Sequence, residues 1–452
     1  MRRYSPLLLT LLPLAACGSD EPPSPTDVRT AIHDDLRHIL TEGQSAAQKS
    51  TVNLPTASML SIISPDLVLG DPMAAIDNME ADELTTKLEN ELFTDANYLG
   101  NGIYKVPPSL VCKETIYNDD GTTTEQLDPD CAQQLDKIQL RIRVATEDDA
   151  VRFFVQVDAN HDEPLSLLLA HDRLAVTVNL DDATAAMIAL SAIEGEPPPN
   201  ADLSGSVTGS LTILGTAHAQ VALSFDRDIS IKFADAGVAL DSDAATRFTS
   251  VAAHVIAVEL DGNAPKAKFD LGLGETTAHI APDIDSVDPR SEDFLLAGAT
   301  VNATYQANAL TLDNISLGSK TSQLSIGGQV AQTIDLNATA GRKLAAVITS
   351  NPATGEETLE VTPRLDLQMT TDHAVLADEA PRYDVTRILL DGSLRGMADS
   401  SQLEVVSGSF SMTTNPSQYG FSATAGQCVT STSEYDPVTY EDYELYSVGA
   451  CL

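Results

Sequence analysis

The sequence contains no tryptophan, and aromatic residues make up only 5% of its 452 residues. With so few rings, a hydrophobic core must be built mainly from Ala, Val, Leu and Ile. The absence of tryptophan also removes the ring on which sugars commonly stack. The 66 Asp and Glu residues neither exclude a pair of carboxylates for glycoside hydrolysis nor single one out.

Basic residues are also scarce, with 26 Lys and Arg against 66 Asp and Glu and a formal net charge of −40. This imbalance excludes a nucleic-acid partner, because the protein repels phosphate. Two roles of the acids stay open, namely solvation of an exposed surface and binding of Ca²⁺. For calcium the sequence offers the hairpin acids and amide Asn118, Asp119, Asp120, Asp128 and Asp130, which lack the EF-hand spacing.

Long apolar runs are missing beyond the N-terminus, as are the motifs G-x-S-x-G, S-x-x-K, H-E-x-x-H and the P-loop. The N-terminus itself begins with Met1-Arg2-Arg3 and continues with a short apolar segment, Leu7 to Ala16. This segment is far shorter than the roughly 20 residues of a transmembrane helix. Residues 1–16 are therefore predicted to be a signal peptide.

The end of the signal segment, Leu14-Ala15-Ala16-Cys17, resembles the lipobox of bacterial lipoproteins. The resemblance covers the signal segment only. It implies that the Cys17 thiol receives a diacylglyceryl group, that cleavage precedes Cys17, and that the freed amine takes an acyl chain such as palmitate. In that family an Asp after the cysteine signals inner-membrane retention, so Gly18 implies an outer-membrane lipoprotein of the cell envelope. Residues 17–25 are then a lipidated tether.

Export to an oxidising compartment indicates that the other four cysteines form disulfides. Three pairings are possible, and we predict the local one, which joins Cys112 to Cys131 and Cys428 to Cys451. Each bond then closes a modest loop.

Tyrosines are concentrated in the loop between the last two cysteines, which contains Tyr435, Tyr440, Tyr443 and Tyr446. Because tyrosine is enriched at interfaces, this loop is a candidate interaction surface. The alternative is a closing hairpin whose tyrosines pack over the end of the sheet.

Histidines provide only weak candidates for a metal site or a catalytic base. The pairs His161-Asp162 and His171-Asp172 flank a predicted strand and could meet in a hairpin. His33 and His38 are five residues apart, which is not the i,i+4 spacing of a metal pair, so both are expected to be exposed. His218 and His254 are expected to be accommodated in the core or at an edge.

Helical periodicity is confined to residues 26–95. Ser24-Pro25-Thr26-Asp27 predicts a capped helix start, and Gly43 is expected to end that helix. Its apolar face is predicted to consist of Val28, Ile32, Leu36, Ile39 and Leu40. A second helix is expected from Asp71-Pro72.

From about Leu135 the hydrophobic period changes to two, which is typical of strands with one buried face. Odd positions are apolar from Leu211 to Phe225, and the same phase is expected to resume after a polar turn at Asp226–Asp228. Further turns are predicted at Asp261-Gly262, Asn351-Pro352 and Asp391-Gly392. We predict a mainly β fold, an antiparallel long-stranded sandwich or open curved sheet with a small N-terminal helical region.

Three further parts of the chain follow the helical region. Residues 96–193 are predicted to be an α+β or β part with a stapled hairpin, 194–205 a Pro-rich linker, and 206–452 the long-stranded body. We expect a membrane-anchored, non-enzymatic binding or structural module whose partner is a protein, a polymer or an apolar ligand. The alternative is an exported hydrolase that uses scattered acids with His161 or His171.

Overall fold

A computed structural model describes most of the chain between residues 22 and 451. It leaves out residues 52–84, 118–122, 148, 158–161, 195–199, 265, 283–288, 318–321, 337–343, 377–383, 398–401, 416 and 437–440.

Antiparallel strands dominate the described residues, which confirms the predicted fold class. The front strands are β1 (Tyr98–Gly100), β2 (Ile103–Lys105), β3 (Lys113–Tyr117), β4 (Thr123–Leu127), β5 (Arg141–Glu147), β6 (Ala150–Val157), β7 (Asp162–Ala170), β8 (Arg173–Asn179), β9 (Ala201–Gly215), β10 (His218–Phe233), β11 (Thr246–Ser250) and β12 (Val255–Asp261). The remaining strands are β13 (Lys266–Ile280), β14 (Glu292–Gln306), β15 (Ala309–Leu317), β16 (Ser322–Ile326), β17 (Gln329–Leu336), β18 (Leu344–Asn351), β19 (Glu356–Thr371), β20 (Val385–Met397), β21 (Gln402–Asn415), β22 (Phe421–Thr424), β23 (Gln427–Asp436) and β24 (Glu441–Ala450).

Within the described residues, all strands except the β3–β4 hairpin join one 22-stranded sheet. Most neighbours in the sheet are also neighbours along the chain, so the sheet is a long meander. β8 pairs with β9 directly, so the strands before and after the predicted Pro-rich linker 194–205 belong to one sheet. Strand β9 already begins at Ala201 within that segment.

The helices are α1 (Pro25–Ala31), a π-turn (Ile32–Leu36), α2 (Arg37–Thr51), a second π-turn (Leu88–Leu92), α3 (Pro108–Val111), α4 (Pro129–Ile138), α5 (Leu180–Glu194) and a 3₁₀ turn (Ser417–Tyr419). The predicted second helix from Asp71 falls largely outside the described residues. Among the residues that the structure describes, no helix combines the length and the apolar composition that crossing a bilayer requires.

The first helix begins where the sequence predicts. Ser24 is the N-cap, and its side chain and that of Asp27 form a reciprocal capping box. The five residues predicted for its apolar face are all buried, at 6% exposure or less. These side chains seal one face of the sheet, because α2 packs against β9, β10, β12 and β13.

Gly43 does not end this helix, which continues to Thr51. A Cβ atom at position 43 would lie 3.0 Å from the Leu211 side chain on β9. The glycine therefore permits a close approach of helix to sheet. Its helix-breaking tendency, only about 1 kcal/mol, is outweighed by this packing.

A continuous apolar row crosses the face that α2 covers. Directly paired residues of neighbouring strands lie on one face of a sheet. The row runs through Leu174, Leu211, Val221, Val258, Phe269, Ala303, Leu312, Ala346 and Val361, each paired with the next. The front half of this row belongs to a core shared with the helix, and the rear half to a second core that includes Leu390 and Val405.

Strand β10 runs without interruption through Asp226–Asp228, where the sequence predicts a polar turn. Its pairing with β9 shifts register twice in this segment. Such β-bulges change the face on which the following side chains lie. Pairing through β11, β12 and β13 places Ser230 on the face of Val221, and Ile229 and Ile231 on the opposite face. The predicted continuation in phase is therefore wrong.

Both predicted disulfides are present. Cys112 bonds to Cys131 across 19 residues, and Cys428 bonds to Cys451 across 23. The first closes the β3–β4 hairpin against α4. The second ties Cys451, the residue that follows β24, to Cys428 at the start of β23.

We expect replacement of both Cys428 and Cys451 by Ala to lower the free energy of unfolding by about 3 kcal/mol, as chain entropy predicts for a loop of this length. Urea titration of the variant and the wild type would measure the difference. Reduction of the wild type with dithiothreitol provides the control, and equal midpoints for the oxidised wild type and the variant would contradict the expectation.

Candidate functional site

A cluster of two histidines and two carboxylates lies where the first helix meets the β7–β8 turn. His171 and Asp172 are the two residues of that turn. The Nδ1 atom of His171 lies 3.0 Å from Oδ1 of Asp35 in the π-turn. Its ring stacks on that of His38 in α2, with centroids 4.9 Å apart and planes 6° from parallel.

The second carboxylate faces the two imidazoles. Oδ1 of Asp172 lies 3.6 Å from Nε2 of His38 and 4.0 Å from Nε2 of His171. One ligand atom each from His38, His171 and Asp172 can be chosen so that all lie within 4.8 Å of one another. Two imidazoles and a carboxylate are a ligand set that divalent transition metals accept.

The π-turn explains why the helix presents both of its histidines here. His33 and His38 are five residues apart, so a regular α-helix would place them on different sides. The π-turn Ile32–Leu36 changes the helical phase between them. Both now line one open cleft of about 520 Å³, together with Asp34, Arg37, Thr41, Glu42 and His171. His33 makes its own pair, with Nδ1 3.1 Å from Oε1 of Glu89.

Carboxylates govern the charge of this cluster. The hydrogen bond with Asp35 is the main cause that raises the pKa of His171, and the charge of Asp172 adds to it. The raised pKa favours the imidazolium, so a metal ion competes with a proton for His171.

The helix that carries the cluster is held in place beside the site. The Ala217 backbone N–H, in the β9–β10 turn, donates a 2.8 Å hydrogen bond to Oε2 of Glu42. This contact and the buried apolar face fix the position of His38 relative to the sheet.

The other member of the predicted histidine set cannot be placed. His161 and the side chain of Asp162 lie outside the described residues, so the predicted encounter of His161-Asp162 with His171-Asp172 stays a prediction. Apart from the adjacent Asp172, the described partners of His171 come from the helical segment, and Asp35 is 136 residues away along the chain.

The calcium candidates divide in the same way. Asn118, Asp119 and Asp120 lie outside the described residues. Asp128 is the N-cap of α4, where Oδ1 accepts backbone hydrogen bonds from Asp130 at 2.9 Å and Cys131 at 3.3 Å. This carboxylate therefore has a helix-capping role.

The tyrosine loop forms the β23–β24 hairpin. Tyr435 is exposed at 57%, whereas Tyr446 packs on Phe421 with ring centroids 5.2 Å apart and joins the margin of the second core. Tyr440 and the side chain of Tyr443 lie outside the description. The described pair thus shows one exposed ring and one packed ring.

The remaining predicted histidines have local partners. Nε2 of His218 lies 2.9 Å from Oε1 of Glu259. His254 is 9% exposed, stacks on Phe225 and hydrogen-bonds with the buried hydroxyls of Ser250 and Thr276. Burial lowers the pKa of His254, which favours the neutral form of the ring. As predicted, the ring is accommodated in the interior of the protein, where the hydroxyls of Ser250 and Thr276 are also buried.

Comparison with known proteins gives no relatives. No protein-family model matches the chain, and no curated protein or solved structure is significantly similar to it.

Proposed function

We propose that this protein is an exported, lipid-anchored, non-enzymatic binding or structural module of the bacterial cell envelope, held at the outer membrane through Cys17. The observation that carries the proposal is the short distance along the chain between the lipobox-like cysteine and a helix that is docked on the sheet. Ser24 caps that helix only seven positions after Cys17 (24 minus 17).

The length of the tether limits the position of the body. Seven extended residues span at most about 25 Å. This length keeps the start of the helix near the bilayer surface, and with it β9, β10, β12 and β13, against which α2 is packed. Any protein, polymer or apolar ligand that binds beside the helix is therefore met close to the membrane.

The anchor itself is strong in this proposal. Each buried CH₂ group contributes about 0.8 kcal/mol, and two or more chains give stable anchoring. The formal charge of −40 opposes adsorption to anionic headgroups, so membrane binding must depend on the acyl chains. Loss of the lipid should release the body.

The test compares wild type with Cys17→Ser and Gly18→Asp in a Gram-negative host. We expect the wild type in the outer-membrane fraction and labelled with palmitate. Its intact mass should equal that of a chain that begins at an acylated Cys17. Cys17→Ser should carry no label, and Gly18→Asp should move the labelled protein to the inner membrane. The Cys428→Ala/Cys451→Ala variant is the matched control and should remain labelled. An unlabelled wild type whose mature chain begins elsewhere would overturn the anchor.

A further inference from the structure

The cluster at the helix–sheet junction has a geometry that its hydrogen bonds alone do not use. Three side chains from two separate elements bring one nitrogen or oxygen ligand atom each within 4.8 Å of one another. We propose that His38, His171 and Asp172 bind a divalent transition-metal ion of the zinc type, and that the ion fastens α2 to the β7–β8 turn. This inference concerns the body alone and does not rest on lipidation.

The donor set selects the class of metal. Imidazole nitrogens suit zinc and its neighbours in the first transition row, and a carboxylate completes a three-ligand set whose fourth position a water can take. Calcium and magnesium prefer sites made of oxygen atoms. Two of the three donors here are nitrogens, so the alkaline-earth ions should bind poorly.

The two distances from Asp172 to the imidazole nitrogens fit an ion after a small adjustment. With metal–ligand bonds of about 2.1 Å, the ligand atoms of a tetrahedral site lie about 3.4 Å apart. The 3.6 Å between His38 Nε2 and Asp172 Oδ1 is close to this value, and the 4.0 Å between His171 Nε2 and Asp172 Oδ1 exceeds it slightly. To face the ion, the His171 ring must also turn out of its parallel stack on His38. The side chains of His171 and Asp172 are 72% and 60% exposed, so they can make these movements without disturbing the core.

Asp35 supplies the outer support that metal-binding histidines commonly have. Its Oδ1 lies 3.0 Å from Nδ1 of His171, so it can accept the Nδ1 proton and leave the Nε2 lone pair free for the ion. A carboxylate in this position fixes both the tautomer and the ring orientation. Asp35 is thus a positioning residue, and it belongs to the same helical segment as His38.

Bound metal would connect two elements that are distant in sequence. The helix follows the segment from Cys17, whereas the turn belongs to the sheet. An ion shared between them ties α2 to the β7–β8 turn through His38. About one helical turn further along, Glu42 of the same helix contacts the β9–β10 turn. Because metal binds the folded arrangement alone, it should raise the stability of the fold.

Metal binding can be measured directly on the full chain, purified without a histidine tag and stripped with EDTA. We expect one equivalent of Co²⁺ to give the visible absorption of a low-coordinate nitrogen and oxygen site, and Zn²⁺ to displace it. His38→Ala and His171→Ala should each weaken Zn²⁺ binding at least about 100-fold, and Asp35→Asn about 10- to 100-fold. Mg²⁺ and Ca²⁺ should not compete at millimolar concentration.

His33→Ala is the matched control, because His33 lines the same cleft but pairs with Glu89. It should bind Zn²⁺ as the wild type does. Thermal unfolding provides a second readout. Zn²⁺ should raise the thermal midpoint of the wild type and of His33→Ala but not that of Asp172→Asn. Circular dichroism would verify that Asp172→Asn is folded. The proposal would be overturned if His171→Ala bound Zn²⁺ as tightly as the wild type, or if one equivalent of Co²⁺ gave no visible absorption. The cluster would then be a set of ion pairs that binds no metal.

Discussion

Gly408→Ala is expected to lower the free energy of unfolding by about 2–4 kcal/mol, because the backbone of β21 has no room for a Cβ atom at this position. Gly408 pairs with Gly392 on β20, and both have positive φ, at 74° and 130°. A Cβ atom on Gly408 would overlap the carbonyl oxygen of Asp391, which belongs to the backbone and cannot rotate away. Alanine would add the strain of a left-handed backbone to this clash.

The matched control for this prediction is Gly209→Ala in β9. Gly209 has no atom within 4 Å of an added Cβ and no positive φ. Alanine there should leave stability unchanged or raise it by a few tenths of a kcal/mol, since it restricts the unfolded chain. Urea titrations of both variants and the wild type measure the contrast, and an equal effect of the two substitutions would count against the close approach of β20 and β21.

The glycine pair also shows where sequence patterns mislead. Asp391-Gly392 is a strong turn signal, yet both residues lie inside β20 and pair with Ser409 and Gly408. The physical reason is that glycine serves two purposes, a tight turn and a close approach of two backbones. The partner at position 408 that decides between them is not local in the sequence.

Alternation has a similar limit in the hairpin of β9 and β10. Ile213 pairs with Ala219 and Leu211 with Val221, so the paired residues have odd numbers on both sides of the turn. The apolar pattern therefore continues through the hairpin as if one strand ran from Leu211 to Phe225. Period two correctly predicted the fold class and the burial of Leu211 and Ile213, whereas Leu223 in the same series is 41% exposed. It could not predict this turn or the bulges after it.

The first helix could be predicted in more detail than the site it carries. Its cap and its apolar face depend on residues within a few turns, and both are as predicted. The cluster of His38 and His171 depends on a π-turn and on the docking of the helix beside the β7–β8 turn. The five-residue spacing of His33 and His38 did not predict the cluster, because the π-turn changes the helical phase between the two residues.

Asp366→Asn is expected to lower the free energy of unfolding by about 2 kcal/mol. Asp366 on β19 has a side chain only 4% exposed. It accepts two hydrogen bonds from Arg387 on β20, from Nε at 2.8 Å and from Nη2 at 2.7 Å. An asparagine keeps the shape but offers one oxygen and an N–H₂ group to a guanidinium that can only donate.

Glu404→Gln is the matched control. Its partner Arg395 lies on the same strand as Arg387, and the two arginine side chains are equally exposed, at 43% and 42%. Glu404 itself is 30% exposed, so solvent screens this pair and its loss should change stability by less than about 1 kcal/mol. The difference between the variants therefore measures the burial of the carboxylate, and similar losses from both would contradict this explanation.

The effect of Asp366→Asn should also depend on pH, with a sign that the structure determines. The hydrogen bonds from Arg387 hold the pKa of Asp366 below its ordinary value, against the opposing effect of burial. A lowered pKa in the folded state stabilises the protein above the unfolded value of about 3.9. This stabilisation is lost as the pH falls through the folded pKa, because the carboxyl then takes up a proton. Urea titrations at pH 7 and near pH 3 should show the gap between wild type and Asp366→Asn shrinking, whereas a constant gap would mean that Asp366 is not the charged partner of Arg387.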